Sequence, residues 1–514
     1  MSKDLQKGAM FMAGLTLLQS LRVALTGAKF ALDRFKIPQQ YASSFINMVH
    51  NPMELATFTG MAIVTSISWT SWFKSCSGYF ATFTNATLCL SFILLLYAFA
   101  SGGQMGDLTF YYWTIVFGSF IYGLNVATVM TVASADAALF NVGIPLSGIQ
   151  VSVYYYIFTK LARWRNWSNV SYWIIFWQLV IAILISFASA VLWVIIAIQG
   201  PSGGSTGKEG KNTGVAWSPI LMGVVGMGGI YAFYPAIAPY KLTDVGTGYT
   251  IDLVVLFMSA VPGIFIVILC LCNGGNGPGP DQPWENLYGW WHAAWLFAIP
   301  HITAMVLCFV TLHYPDSGVA SSIKSSGLKV GAITVTLKFC EEGLKAVSYA
   351  GAGKQVGKYC SCPCKSQCTR DSDCKCPCKE TNTNCKTSCK CCKTCHGRAD
   401  CRPSECNEGN PCKCKCCKDN GGAISSVNAF LSQGLMIILA FTGDGYLKTY
   451  SKYEHDRAKW PTKNFGTFRS ILYWTGSGMW VACKSVKSSF TKNVRCKVLG
   501  KSEALLIVYA DQEF

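Results

Sequence analysis

The sequence predicts an all-α, polytopic membrane helical bundle of about eleven transmembrane helices in a 6+5 arrangement. Three observations predict it. Of 514 residues, 51% are hydrophobic and only 13% are charged, where a soluble domain carries about 25% charged residues. The mean hydropathy is +0.32. Apolar runs long enough to cross a bilayer recur along the chain. Such a chain must set much of its surface against something apolar, and lipid is the partner that fits.

Tyr79–Ala100, Thr109–Ala133, Tyr172–Gln199 and Thr250–Cys272 hold no Lys or Arg, and Asp252 is their only charge. Each exceeds the roughly 20 helical residues needed to span the hydrocarbon core. Backbone groups in lipid must be bonded internally, so these runs are helices. Leu55–Phe73, Ala138–Thr159, Ala216–Tyr240, Trp290–Tyr314 and Ala423–Leu447 extend the set. Gly8–Phe30, with Arg22 and Lys29, and Phe465–Val486, with Arg469 and Lys484, complete it. No cleavable signal peptide is visible, so the first stretch reads as an internal anchor that leaves Lys3 and Lys7 in the cytosol.

These spans divide the chain. Residues 1–199 form a first half of six helices, 200–215 a Gly-, Ser- and Lys-rich linker, and 216–314 helices seven to nine. Residues 315–422 form a loop that contains a Cys-rich module at 360–417. Residues 423–514 hold the last two helices and the tail. Within the loop, Leu328, Val330, Ile333, Leu337, Leu344 and Val347 recur at near-helical spacing. Gly327–Ala350 therefore reads as an amphipathic helix on the membrane surface or as a plain linker.

The module holds 18 of the 26 cysteines. It has no Phe, Tyr or Trp, and Ala399 is its only aliphatic residue, so it cannot build an apolar core. Lys alternates with Cys in Cys412-Lys413-Cys414-Lys415-Cys416-Cys417, a pattern that resembles metallothionein, where clustered thiolates wrap soft ions. Disulfides are the competing reading. A loop after the ninth span, counted from a cytosolic amino terminus, lies outside the cytosol, where thiols pair. The disulfide reading is adopted on that count; no metal ligand and no cofactor is assigned.

The net charge of +17 follows from basic segments at 448–469 and 484–501 and in the module. Such segments commonly flank spans. No other part of the chain is large and soluble enough to serve as a nucleic-acid platform, so nucleic acid is not an expected partner. No enzyme signature survives inspection. Met222–Gly229 is Gly-rich but lies in an apolar span without a phosphate-binding Lys, and helix packing explains it better.

Polar side chains inside apolar helices are costly and mark function. Gln150, Ser147 and Asn125 are the candidate solute-binding residues. A Gln amide both donates and accepts, as recognition of a base or sugar edge requires, and interhelical hydrogen bonding is the alternative use of all three. His301 is expected to be a packing histidine, and Asp252 and Asp444 to lie near the membrane surface.

Local signatures give these spans a family likeness. Gly123-Leu124-Asn125 and Ile144-Pro-Leu-Ser147-Gly148-Ile-Gln150 come first. Tyr231-Ala-Phe-Tyr-Pro235-Ala236-Ile237, Phe297-Ala-Ile-Pro300 and Ala440-Phe441-Thr-Gly-Asp444-Gly445-Tyr446-Leu447 follow. In type and order they resemble the equilibrative nucleoside transporter family. The resemblance implies a six-plus-five bundle that moves a small polar solute, such as a nucleoside or nucleobase, by facilitated or proton-linked transport. Three departures bear on function, the first being that the first span lacks the family's Pro-Trp-Asn. At the family's Asp and Arg positions in the eighth span stand Ala260 and Ile264, and Ile149 replaces a Gln. The alternative reading is a non-transporting multi-pass protein that displays its Cys-rich loop to a partner or a metal. The expected location is the plasma membrane. Asn166-Trp-Ser168 and Asn169-Val-Ser171 are N-glycosylation sequons, whose loop the family topology places outside, against the vote of Lys160, Arg163 and Arg165.

Overall fold

In the computed structural model, the described residues are 2–199, 213–272, 277–356 and 421–499, apart from positions 26, 39–41, 236, 455 and 457–458. Three short antiparallel strands at Lys358–Ser361, Ala399–Asp400 and Lys415–Asp419 are also described. The rest of the Cys-rich module lies outside the described residues, and so does its disulfide pairing. The cysteines outside the module are free thiols.

The protein is an all-α membrane bundle. Among the described residues, seven helices are long and apolar enough to cross a membrane: Cys76–Ala100, Leu108–Val132, Ser134–Trp164, Val170–Gln199, Gly246–Leu271, Asn286–His313 and Gly421–Ser451. Their outward faces remain apolar. On the Val170–Gln199 helix, Leu184, Phe187 and Ile198 are 62%, 60% and 79% exposed, an apolar surface that only lipid would cover.

The first half begins with α1 (Ser2–Leu17), α2 (Gln19–Leu25) and α3 (Ala28–Arg34). Together these make a broken version of the expected first span. α4 (Ala42–Ile67), α5 (Ser71–Ala100), α6 (Leu108–Val132), α7 (Ala137–Trp164) and α8 (Val170–Gln199) follow. Small residues let these helices touch backbone to backbone. A Cβ on Gly14 would collide with the Phe140 carbonyl, and one on Gly123 with the Thr57 carbonyl. Gly123 of the sequence motif is thus an α4–α6 contact point. Side chains start the helices: Thr70 caps α5 by accepting from the Phe73 N–H at 3.2 Å, and Asp107 caps α6 by accepting from Phe110 at 2.9 Å. Pro52 inside α4 cannot donate to the Met48 carbonyl, and the Tyr112 hydroxyl on α6 donates to that oxygen instead at 2.8 Å.

The second half comprises α9 (Trp217–Gly228), α10 (Ile230–Phe233), α11 (Val245–Leu271), α12 (Ala298–His313), α13 (Gly318–Lys324), α14 (Gly327–Val356) and α15 (Gly421–Ser451). α16 (Thr467–Ser489) and the short α17 (Val494–Leu499) close the chain.

Two expectations are corrected here. The segment read as a surface helix or linker at 327–350 is α14, a 30-residue helix of the bundle core, with Val330, Leu337, Leu344 and Val347 buried. Its charged residues lower its hydropathy, and that is why the sequence hid it. The segment read as a last span at Phe465–Val486 is α16, which lies across one end of the bundle. Its Trp474 meets Tyr446 edge to face at 5.5 Å, its Ser485 accepts from Lys448 at 2.9 Å, and its Ser489 carbonyl accepts from Tyr112 at 2.7 Å. Tyr446 and Lys448 are at one level of α15, and Tyr112 is in the first turns of α6, so both ends of α16 stay at that end.

These changes move the Cys-rich module. Gly353, near the end of α14, packs on the Gly421 carbonyl and beside Ser134. Gly422 abuts the Thr131 carbonyl, and Asp136 accepts from Gln6 of α1 at 2.8 Å. The module therefore leaves and re-enters the bundle at the end that carries the amino terminus. The count of nine crossings omitted α14, which adds a tenth.

Candidate functional site

A cavity of about 580 Å³ lies between the two halves, within the roughly 300–1,000 Å³ of small-molecule sites. Its walls come from α1, α2, α4, α6 and α7 on one side. On the other they come from α9, α10, α11, α14 and α15, with Val481 of α16. The cavity reaches the end opposite the amino terminus, where exposed Lys452 lines it.

The other end is sealed by short contacts between the halves. Thr65 of α4 and Ser426 of α15 share a hydrogen bond at 2.9 Å. Gly422 leaves no room beside Thr131, so α15 and α6 meet at the backbone. Asn428 donates to the Ser348 hydroxyl at 2.9 Å and fastens α15 to α14 just inside the seal.

The main chemical feature is on α14. Lys338, Glu341, Glu342 and Lys345 stand at helical spacings of three, four and seven, which place all four on one face. Lys338 Nζ lies 2.5 Å from Glu341 Oε2 and 3.1 Å from Glu342 Oε1. Lys345 Nζ lies 2.5 Å from Glu342 Oε2 and 3.5 Å from Glu341 Oε1. The side chains are 15%, 2%, 4% and 6% exposed in sequence order, so the four charges are held away from water and neutralise one another. Buried pairs of this kind tolerate no loss of a single partner.

Across the cavity stand charged groups outside this cluster. Glu54 of α4 is buried, with a side chain 12% exposed, and its ion-pair neighbour is the imidazole of His50, one turn earlier, at 3.4 Å. Arg22 of α2 lines the α7–α11 wall; its guanidinium rests on Gly148 and its Nε is buried without a hydrogen-bond partner. Asp444 and Lys448 pair at 2.8 Å nearer the open end. Tyr122, Tyr231, Tyr349 and Gln433 add polar edges.

The sequence-predicted residues sit elsewhere. Gln150 accepts a hydrogen bond from Gln19 at 2.9 Å, joining α7 to α2. Ser147 is buried and donates to the Ile144 carbonyl of its own helix at 2.7 Å. Asn125 is fully buried and donates to Thr84 of α5 at 3.2 Å. None of the three is among the cavity-lining residues, and the structure does not bring them together. Their neighbours do reach it: Ile144 and Pro145 line the cavity, and Gly148 backs Arg22.

His301 is buried with Nδ1 3.0 Å from the Leu337 carbonyl, joining α12 to α14 as a packing histidine. Asp252 accepts from the Tyr240 hydroxyl at 2.7 Å. Asp444, expected at the surface, lines the cavity. Sequence reasoning missed the α14 cluster. The signal was present in Lys338-x-x-Glu341-Glu342-x-x-Lys345, which places opposite charges on one helical face in a chain poor in charge.

No protein-family model matches the chain, and no curated protein matches it. Among solved structures, the chain is similar to the proton:xylose symporter XylE of the major facilitator superfamily, bound to 6-bromo-6-deoxy-D-glucose. The TM-score is 0.47 and the identity 10%, over 95% of each chain. It is also similar to a bacterial homologue of the iron transporter ferroportin in the outward-facing state. With soaked iron the TM-score is 0.45 at 8% identity, covering 96% of this chain and 99% of that one. Without it the TM-score is 0.45 at 10% identity, covering 96% and 100%.

Proposed function

We propose that this protein is a plasma-membrane transporter of a small polar solute that works by alternating access. One observation carries the reading. The cavity lies between the two halves, is sealed at one end, reaches the other, and has buried charges on its wall. A facilitator needs such a site near the midplane and two packings of its halves that expose it in turn. The seal combines the Thr65–Ser426 hydroxyl pair and glycine contacts with apolar packing such as Phe58 on Phe430 at 4.9 Å, and these contacts must part when the halves rock.

Nucleosides and nucleobases are the first solutes to test, on the strength of the sequence signatures. Gln150, Ser147 and Asn125 act in this reading by holding α7 and α6 in place. The test is uptake of a panel of labelled solutes, nucleosides included, into vesicles that contain the purified protein. Saturable uptake of any of them supports the reading. Absence of uptake across the panel favours a bundle that serves only to display the Cys-rich module. Surface labelling, with glycan analysis at Asn166 and Asn169, tests the plasma-membrane location.

A further inference from the structure

The geometry points to a zwitterionic substrate, a small solute that carries a carboxylate or phosphate together with an ammonium group. This rests on the transporter reading and names the substrate class of the same cavity. The inference comes from the balance of charge on the cavity wall. Lys338, Lys345, Glu341 and Glu342 satisfy one another, and Asp444 takes Lys448. Lys452 is exposed at the open end and needs no partner. Among the described residues that line the cavity, that leaves Arg22 without an ion pair and Glu54 with only the imidazole of His50 at 3.4 Å, a counter-charge only when protonated.

The two are not paired with each other. Arg22 lies against Gly148 and Leu256, where a Cβ added at Gly148 would sit 2.7 Å from Nη2 and 3.0 Å from Leu256 Cδ1. Glu54 lies on α4 beside His50, with Tyr122 and Tyr231 also on the wall. An ion without a full counter-charge inside a membrane protein is costly, and such a residue marks a candidate binding group. One deficit of each sign in a single cavity is met by a ligand with one charge of each sign. The guanidinium fork matches a carboxylate or phosphate by two parallel hydrogen bonds. The Glu54 carboxylate accepts from an ammonium. Deep tyrosines add ring faces that favour a cation.

The experiment uses the full-length protein in sealed vesicles and four labelled probes: L-alanine as zwitterion, uridine as neutral solute, succinate as anion and putrescine as cation. The expected result is saturable L-alanine uptake well above the other three. Arg22→Gln and Glu54→Gln should each raise the KM for L-alanine at least tenfold. Arg22→Lys, which keeps the charge and loses the fork, should fall between. Each variant is first checked for an unchanged melting temperature in detergent. If Arg22→Gln does not fold, Arg22→Lys and Glu54→Gln still decide the matter. Uridine uptake without L-alanine uptake overturns the zwitterion assignment and leaves the transporter standing. So does L-alanine uptake with an unchanged KM in these variants. No uptake of any probe overturns both.

Discussion

Arg22 and Gly148 are complementary in shape: the guanidinium occupies the volume a side chain at Gly148 would need, with Nη2 2.7 Å from the site of the missing Cβ. Gly148→Ala pushes on the free end of a long side chain and not on backbone. Alanine also regains the roughly 0.5–1 kcal/mol that glycine costs inside a helix. The variant should therefore keep or slightly raise its melting temperature while solute KM increases severalfold. Melting curves and uptake kinetics on one preparation check both halves of this expectation.

Lys345→Met leaves Glu341 and Glu342 side by side with one ammonium between them. Removing one partner from a buried ion pair costs about 3–5 kcal/mol, so this variant should lose much of its thermal stability or fail to accumulate. Lys345→Met combined with Glu342→Gln removes one charge of each sign and should recover most of the loss. Thermal unfolding of the two variants in the same detergent gives the comparison.

Gly422→Ala places a Cβ against the Thr131 carbonyl at the sealed end. Neither backbone can yield without parting α15 from α6, so the variant should favour the packing in which this end is open. A cysteine at Ser426, beside Thr65, should react faster with a soluble maleimide in the Gly422→Ala background than in the parent. Equal rates would show that the seal yields without opening.

The amino terminus and the Cys-rich module should always share one side of the membrane, and the Asn166–Asn169 loop should lie on the other. An impermeant maleimide applied to intact cells should reach the module only if it also reaches an amino-terminal tag. With the amino terminus in the cytosol, the module faces reducing conditions. Its cysteines should then alkylate freely after permeabilisation, and the argument for disulfides from an odd number of crossings no longer applies. A protected tag with a labelled module would contradict the topology.

Much of the bundle was legible because lipid-facing helices write themselves in hydropathy. The runs around α6, α8 and α11 were placed to within about five residues, and that of α5 was found with its first eight residues missed. α14 was not, since a helix shielded from lipid by its neighbours is free to carry Lys338, Glu341, Glu342 and Lys345, and those charges erase the signal used to find spans. α16 misled in the opposite sense: Phe468, Ile471, Leu472, Met479 and Trp480 are exposed, giving an apolar face to a helix that lies across one end. The polar residues of the motifs pointed near the cavity and not into it. Sequence alone shows that Gln150 and Asn125 are polar inside apolar helices. It does not show which way they face, and here Gln19 and Thr84 take their hydrogen bonds. Arg22 was legible only as a blemish in the Gly8–Phe30 span, and Glu54 fell just outside the Leu55–Phe73 span.

The glycine at 353 and the carbonyl of Gly421 are neighbours, so residues 357–420 begin and finish at a single spot on the scaffold. An insert anchored in this way is nearly decoupled from what it is inserted into. Doubling the length of a flexible loop costs only about 0.6 kcal/mol in closure entropy. Once α14 and α15 dock, the distance the loop must bridge no longer depends on its contents. The bundle thus offers a fixed socket into which segments of different length and composition can be exchanged over evolution, or by design, while the helices keep their packing.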